Sequence, residues 1–204
     1  MNTREFIWEA VKKRLLAGFL AAALLAALGV LAAAAEEGNS GIFGNNGDWA
    51  WELNGGTLTI TAPFSQVPQD MPGFVSYDDS PWNEKKADIK RVEFEPSTSG
   101  SIRSIGVGAF LDCSNLMEIT LPENLTAIRA TAFANTGLTE ITLPKNLTFI
   151  GYHAFAECVS LTEITLPGNL TTIEHGAFAN CTGLTSVTFT SDTPPTIGAE
   201  AFMI

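Results

Sequence analysis

The chain has 204 residues, with Lys+Arg 11 against Asp+Glu 22 and a formal net charge of −11. Residues 1–35 hold four basic and two acidic residues, so the remainder carries 7 against 20, a net of −13. That balance repels nucleic acid and anionic membranes, argues against both as partners, and suits a soluble exported protein or one that meets cationic surfaces.

Residues 1–35 read as an export signal. Arg4, Lys12, Lys13 and Arg14 give a positive start, Leu15 to Leu31 run apolar without a charge, and Ala33-Ala34-Ala35 ahead of Glu36 satisfy the small-x-small cleavage rule. Leu15–Ala35 is also long enough to span a bilayer, so an uncleaved anchor is the alternative. Either reading leaves the rest outside the cytoplasm, secreted or at the cell surface, with no membrane contact once the signal is removed.

Glu36 to Gly47 is rich in Gly and Asn and reads as a loop. Gly41, Gly44 and Gly47 follow no phosphate-loop spacing. Trp49 to Leu53 and Thr57 to Thr61 alternate as strands around Asn54-Gly55-Gly56, which is a hairpin signal. Trp49 and Trp51 are expected to cover the open edge of whatever stacks next. A carbohydrate platform built with Trp82 is the competing use. Ala62 to Asp79 carries Pro63, Pro68 and Pro72 and reads as loop. Ser80-Pro81-Trp82 then predicts a helix of one or two turns, with Ser80 as N-cap and Trp82 tucked inward.

From residue 88 onward the chain repeats itself. Leu138 to Ser160 reads LTEITLPKNLTFIGYHAFAECVS, and Leu161 begins LTEITLPGNLTTIEHGAFANCTG. The Phe of the Ala-Phe pair falls at Phe110, Phe133, Phe155, Phe178 and Phe202, at intervals of 23, 22, 23 and 24. Such a period marks a solenoid, in which no coil buries its apolar face alone. Strands are expected at 89–94, 116–121, 138–143, 161–166 and 184–189.

Within a coil, Ile141 and Leu143 point inward and Thr142 outward. Pro144 ends the strand because it has no N–H to donate. Asn146 suits the turn, Leu147 and Ile150 return to the core, and Ala154 and Phe155 fill the far side. The expected fold class is α/β: a leucine-rich repeat solenoid with a parallel sheet of about five short strands. Short helical or 3-10 turns lie on the opposite side, and an N-terminal β-hairpin forms a cap. The expected divisions are 1–35 signal peptide, 36–87 N-terminal cap region and 88–204 solenoid.

The phrase Ile105-Gly106-Val107-Gly108-Ala109-Phe110-Leu111-Asp112-Cys113-Ser114-Asn115-Leu116-Met117-Glu118-Ile119-Thr120-Leu121-Pro122 resembles the BspA-like leucine-rich repeats of bacterial secreted and surface proteins. The likeness covers roughly the last hundred residues, and Gly41 to Phe94 resembles the region that often precedes such repeats. It implies surface display and adhesion-type binding to proteins or cells. It implies no catalytic residues and no cofactor.

Conventional chemistry is sparse. Cys113, Cys158 and Cys181 are the cysteines. The 22-residue copy is expected to lack the Cys itself, leaving an empty place between Cys113 and Cys158, with Cys158 beside Cys181. Small buried thiols are expected rather than a 158–181 disulfide. His153 and His175 match no zinc spacing and read as exposed polar residues. Asn-x-Thr at Asn124, Asn146, Asn169 and Asn180 reads as turn chemistry rather than glycosylation. No nucleophile, base and acid stand together.

Two outward ladders remain: Thr120, Thr142, Thr165 and Thr188, and Glu118, Glu140, Glu163 and Ser186. The expectation is a non-catalytic binding module without cofactor or metal. Its partner is a protein or cell-surface ligand, met by Glu118, Thr120, Glu140, Thr142, Glu163 and Thr165. The alternatives are a carbohydrate-binding or carbohydrate-active protein using the Trp-bearing segment, and a structural spacer or fragment of a larger surface protein.

Overall fold

The computed structural model describes residues 39–44, 49–63, 67–75, 79–96 and 101–204. The export segment expected over 1–35 lies outside them, as do parts of the loops expected over 36–47 and 62–79 and of the turn at 95–101. Among the described residues, no helix is long and apolar enough to cross a membrane.

The chain begins with β1 (Ser40–Phe43), β2 (Trp49–Asn54), β3 (Thr57–Thr61) and β4 (Gln69–Asp70). A 3-10 helix (Asn83–Asp88) leads into β5 (Arg91–Phe94), β6 (Ile102–Ile105), β7 (Glu118–Ile119), β8 (Ala127–Ile128) and β9 (Phe149–Ile150). The last strands are β10 (Glu163–Leu166), β11 (Thr172–Ile173), β12 (Ser186–Phe189) and β13 (Thr196–Ile197).

β2 and β3 pair antiparallel with Asn54 opposite Thr57. Gly55 and Gly56 between them hold φ of 56° and 89°, the two positive values that a tight turn matching the strand twist demands. β3 then pairs parallel with β5, so the hairpin continues directly into the first coil. β1 adds antiparallel to β2 inside the stretch expected to be loop. Its run of Gly, Ser and Asn hides it, and the buried Phe43 holds it down.

Each coil has three sides. The first carries the expected strands, in a five-stranded sheet β1-β2-β3-β5-β7 and a two-stranded sheet β10-β12. The break falls at Leu138–Leu143, where a strand was expected and none forms. This is the coil one residue short. Leu138, Ile141 and Leu143 are still buried there, so the packing survives where the ladder does not.

The second side is a parallel ladder that the repeat phrase did not announce. It is the six-stranded sheet β13-β11-β9-β8-β6-β4, with Ile105, Ile128, Ile150, Ile173 and Ile197 stacked in register.

The third side corrects the α/β expectation. Residues 101–204 contain no helix. The Ala-Phe segments are turns flanked by left-handed residues: Gly108 and Asp112, Thr131 and Asn135, His153 and Glu157, Gly176 and Asn180, and Glu200. Two residues at positive φ, four apart, break any right-handed helix. The backbone groups so freed bond from coil to coil instead. Phe133 N–H donates to Ala154 C=O at 2.8 Å, Phe155 to Ala177 at 2.7 Å and Phe178 to Ala201 at 2.7 Å.

The core is a spine of rings. Trp82, Phe110, Phe133, Phe155, Phe178 and Phe202 stack with centroids 5.9, 5.3, 5.2, 5.1 and 5.1 Å apart. Trp82 is fully buried and donates Nε1–H to Ala109 C=O at 3.0 Å. Phe43, Trp51 and Phe74 pack their edges or faces around it. Ser80 does not cap the short helix as expected. Trp82 takes the cap position without a side-chain bond, and Asn83 N–H goes to the Ser80 carbonyl at 2.9 Å. The hydroxyl of Ser80 is buried and finds no partner among the described residues.

Candidate interaction surface

The outward face of the first side places Glu118, Thr120, Glu140, Thr142, Glu163 and Thr165 in solvent, every one exposed. Their neighbours Ile119, Ile141 and Ile164 point inward and are buried, which is the two-residue alternation of a strand. Rungs align across the face: Arg91 lies opposite Glu118, Glu163 opposite Ser186, and Thr165 opposite Thr188. The same face runs back through the hairpin, where Thr57 lies opposite Arg91 and Thr59 opposite Glu93.

One feature of this face was not anticipated. Arg91 occupies the first rung of the acidic ladder, and its Nη2 lies 2.6 Å from Glu118 Oε2. Glu118 is therefore partly neutralised. Arg91 also lies 3.7 Å from Glu93, whereas Glu140 and Glu163 form no ion pair among the described residues. The six-residue set expected from the sequence thus divides into a paired end and an unpaired middle.

Threonines and asparagines tie the coils together elsewhere. Thr148 Oγ1–H donates to Thr126 C=O at 3.0 Å and Thr171 Oγ1–H to Thr148 C=O at 2.9 Å. The turn amides do likewise: Asn146 Nδ2 donates to Glu123 C=O at 3.2 Å and Asn169 Nδ2 to Lys145 C=O at 2.9 Å. The repeat keeps Asn and Thr at these places for bonds between coils.

The Trp-bearing segment offers no stacking platform. Trp49, Trp51 and Trp82 are 4, 5 and 0 % exposed, so their faces are spent on the core and the carbohydrate reading of these residues fails.

The thiols also depart from expectation in one respect. The place thought empty between Cys113 and Cys158 is filled by Thr136, whose Oγ1 lies 3.2 Å from Cys158 Sγ. The residue deleted from the short coil is the one after the cysteine position. Cys158 S–H donates to Phe133 C=O at 3.1 Å and Cys181 S–H to Phe155 C=O at 3.0 Å. All three cysteines are free and buried. Burial pushes Cys113 up to about 12. The adjoining Cys158 sulfur, together with burial, pushes Cys181 up as well.

A charged cluster on the second side pins β4 to the solenoid. Asp70 takes Arg103 in a two-pronged contact, Nε at 3.1 Å and Nη2 at 2.7 Å, and accepts Ser104 Oγ–H at 2.7 Å. The Arg103 hydrogen bond holds the Asp70 carboxyl below the usual range, against a smaller upward push from burial. Among the described residues, no group of three or more His, Cys, Asp or Glu is placed to hold a metal ion.

With three-sided coils, an aromatic spine and an exposed strand face in view, the class is a leucine-rich repeat solenoid built mostly of strands and turns. The chain belongs to the BspA-type leucine-rich repeat family, whose repeat region matches residues 85–204 in six copies. It is similar to the crystal structure of a leucine-rich repeat protein from Eubacterium ventriosum, with 24% identity and a TM-score of 0.58. The match covers 75% of this chain and 45% of that one. A leucine-rich repeat protein from Bacteroides ovatus matches at 26% identity and a TM-score of 0.49, over 69% of this chain and 39% of that one. The chain thus spans less than half the length of these two solved relatives. No curated protein matches it.

Proposed function

We propose that the protein is an exported, surface-associated binding module that meets a protein partner through the outward face of its first side, without catalysis. The reading rests on one observation above all: Glu140 and Glu163, exposed and without an ion pair among the described residues, stand beside Thr142 and Thr165 on a framework whose inward residues are buried. A partner meeting side chains already held in place loses less entropy on binding. An acidic face favours a basic partner and an association rate that falls with salt. Repeats of this family fit a protein-interaction role, and the composition of residues 1–35 supports export. In the same reading the hairpin β2–β3 is the N-terminal cap, because it extends the first sheet and, with Trp82, closes the end of the ring spine.

The test uses a partner isolated by pull-down, then titrated at two salt concentrations. Glu140→Gln with Glu163→Gln should weaken binding and flatten its salt dependence, with the melting transition nearly unchanged. Glu118→Gln alone should do much less, because Arg91 already offsets that charge. Equal affinity for wild type and the double variant would move the site off this face. Turnover of a peptide or glycan by the purified protein would reject the non-catalytic reading.

A further inference from the structure

A second exposed feature lies on a different part of the coils, at the corner between the second and third sides. Tyr152, His153 and His175 form a stack. Tyr152 and His153 rings lie 4.1 Å apart at 10°, Tyr152 and His175 5.4 Å at 17°, and His153 and His175 5.6 Å at 21°. Tyr152 is 48 % exposed, and both histidines, expected to be exposed polar residues, are half-buried in one cluster with it.

The stack is built in rather than incidental. His153 occupies the positive-φ place before Ala-Phe, as Thr131 and Glu200 do in other coils. Gly176 holds that place in the next coil, at φ 61°. Backbone conformation alone does not demand glycine there, since three side-chain-bearing residues adopt it elsewhere. Space does: a Cβ on Gly176 would collide with Cδ2 and Nε2 of the His153 ring. On the rung shared by Tyr152 and His175, the neighbouring coils carry Ala130 and Ala199. These small side chains leave the stack uncovered along the coil axis.

Carboxylates flank the rings. Tyr152 N–H donates to Glu174 Oε2 at 2.8 Å, which leaves the other oxygen without a partner among the described residues. Glu200 Oε2 lies 3.6 Å from His175 Nε2. Residues 146–204 contain no Lys or Arg, against Glu157, Glu163, Glu174, Asp192 and Glu200. The cation of the preceding coil, Arg129, is drawn to Asp70 at 3.8 Å. The patch therefore combines ring surface and carboxylate acceptors in a region that supplies no cation of its own.

We propose that Tyr152, His153 and His175, with the carboxylates of Glu174 and Glu200, form a docking point for an arginine side chain of a protein partner. A guanidinium is flat enough to continue a ring stack, is only weakly hydrated, and offers several N–H donors to nearby carboxylates. A lysine ammonium is compact and strongly hydrated and gains less from the same rings. This site stands apart from the strand face and does not depend on Glu140 or Glu163.

The two histidines are the only ones in the chain, so their ring signals in NMR report on this patch alone. Titration with acetyl-triarginine amide should shift both His153 and His175 ring signals saturably. Acetyl-trilysine amide should produce a weaker response. Tyr152→Ala, which restores the Ala of the flanking coils and should fold, ought to weaken the triarginine response about two- to fivefold, the worth of one exposed cation–ring contact. Glu200→Gln should weaken it too, whereas Glu140→Gln with Glu163→Gln should leave it unchanged. Equal shifts with trilysine, or an undiminished response in Tyr152→Ala, would show attraction by net charge and overturn the proposal. Absence of any triarginine shift in folded protein would overturn it as well, as would shifts produced by methyl glucoside in place of the peptide.

Discussion

Phe155→Ala tests the ring spine at its centre. Phe155 has no exposed surface and stacks on Phe133 at 5.2 Å and 13° and on Phe178 at 5.1 Å and 2°. Removing such a ring forfeits its transfer energy and leaves a cavity, together about 3–5 kcal/mol. Two stacked contacts add about 0.5–1.5 kcal/mol each beyond area burial, so the loss should fall at the upper end of that range. The neighbours cannot collapse freely, because Phe155 N–H and Phe133 N–H are both committed to the next coil. Among the described residues Phe202 has one stacking neighbour, and it is only half-buried, so Phe202→Ala should cost well under half as much. Thr142→Ala, on the solvent face, should cost under about 0.5 kcal/mol. Urea unfolding followed by circular dichroism gives all three values. Similar losses from Phe155→Ala and Thr142→Ala would refute the inward and outward assignment. Equal losses from Phe155→Ala and Phe202→Ala would refute the coil-by-coil origin of the energy.

Cys113 and Cys181 should resist alkylation in the folded protein at pH 8, since the thiolate is the reactive form and their surroundings disfavour it; a folded-state mass two units lower, mapped to Cys158 and Cys181, would contradict the free thiols. Cys113 stays a thiol up to about 12 against an ordinary value of 9.0, so its contribution to stability is complete below pH 9 and is lost as pH rises toward 12. Serine at 113 should therefore blunt the alkaline fall in melting temperature. Asp70 has the opposite sign: its carboxyl is held below 3.8, so its contribution is present above that pH and is lost as pH falls through the lower folded value. The group is largely exposed, and solvent screening keeps the effect small. Melting scans should show wild type falling more steeply than Asp70→Asn below pH 4, and parallel curves would contradict the Arg103 contact. For export, N-terminal analysis of the secreted protein should begin at Glu36, whereas Met1 retained in the membrane fraction would make residues 15–35 an anchor.

The inward residues of each coil were legible because they recur in register: Leu138, Ile141, Leu143, Leu147, Ile150, Ala154 and Phe155 are all buried, as the alternation and spacing required. The six outward residues were legible for the same reason. The second ladder was not, because strands such as Ala127–Ile128 and Phe149–Ile150 are two residues long and too short to show a period. The turns were misread as helical because nothing in Thr131, Glu157 or Glu200 announces a positive φ, which the coil closure imposes on residues that rarely adopt it. The Arg91–Glu118 pair was hidden in the longer first turn, which sets Arg91 and Glu118 27 residues apart in the chain while the ladder makes them neighbours. The ring stack at Tyr152 depends on Gly176 one coil away, and no local pattern links the two.

The most direct measurement of the binding account is carboxyl labelling of the protein alone and in complex with its captured partner. A water-soluble carbodiimide and an amine tag exposed carboxylates, and mass spectrometry reads each site. The account predicts that Glu140 and Glu163 lose labelling in the complex while Glu123, on the turn beyond the strand face, keeps it. Unchanged labelling of Glu140 and Glu163 in a complex that is otherwise saturated would contradict it.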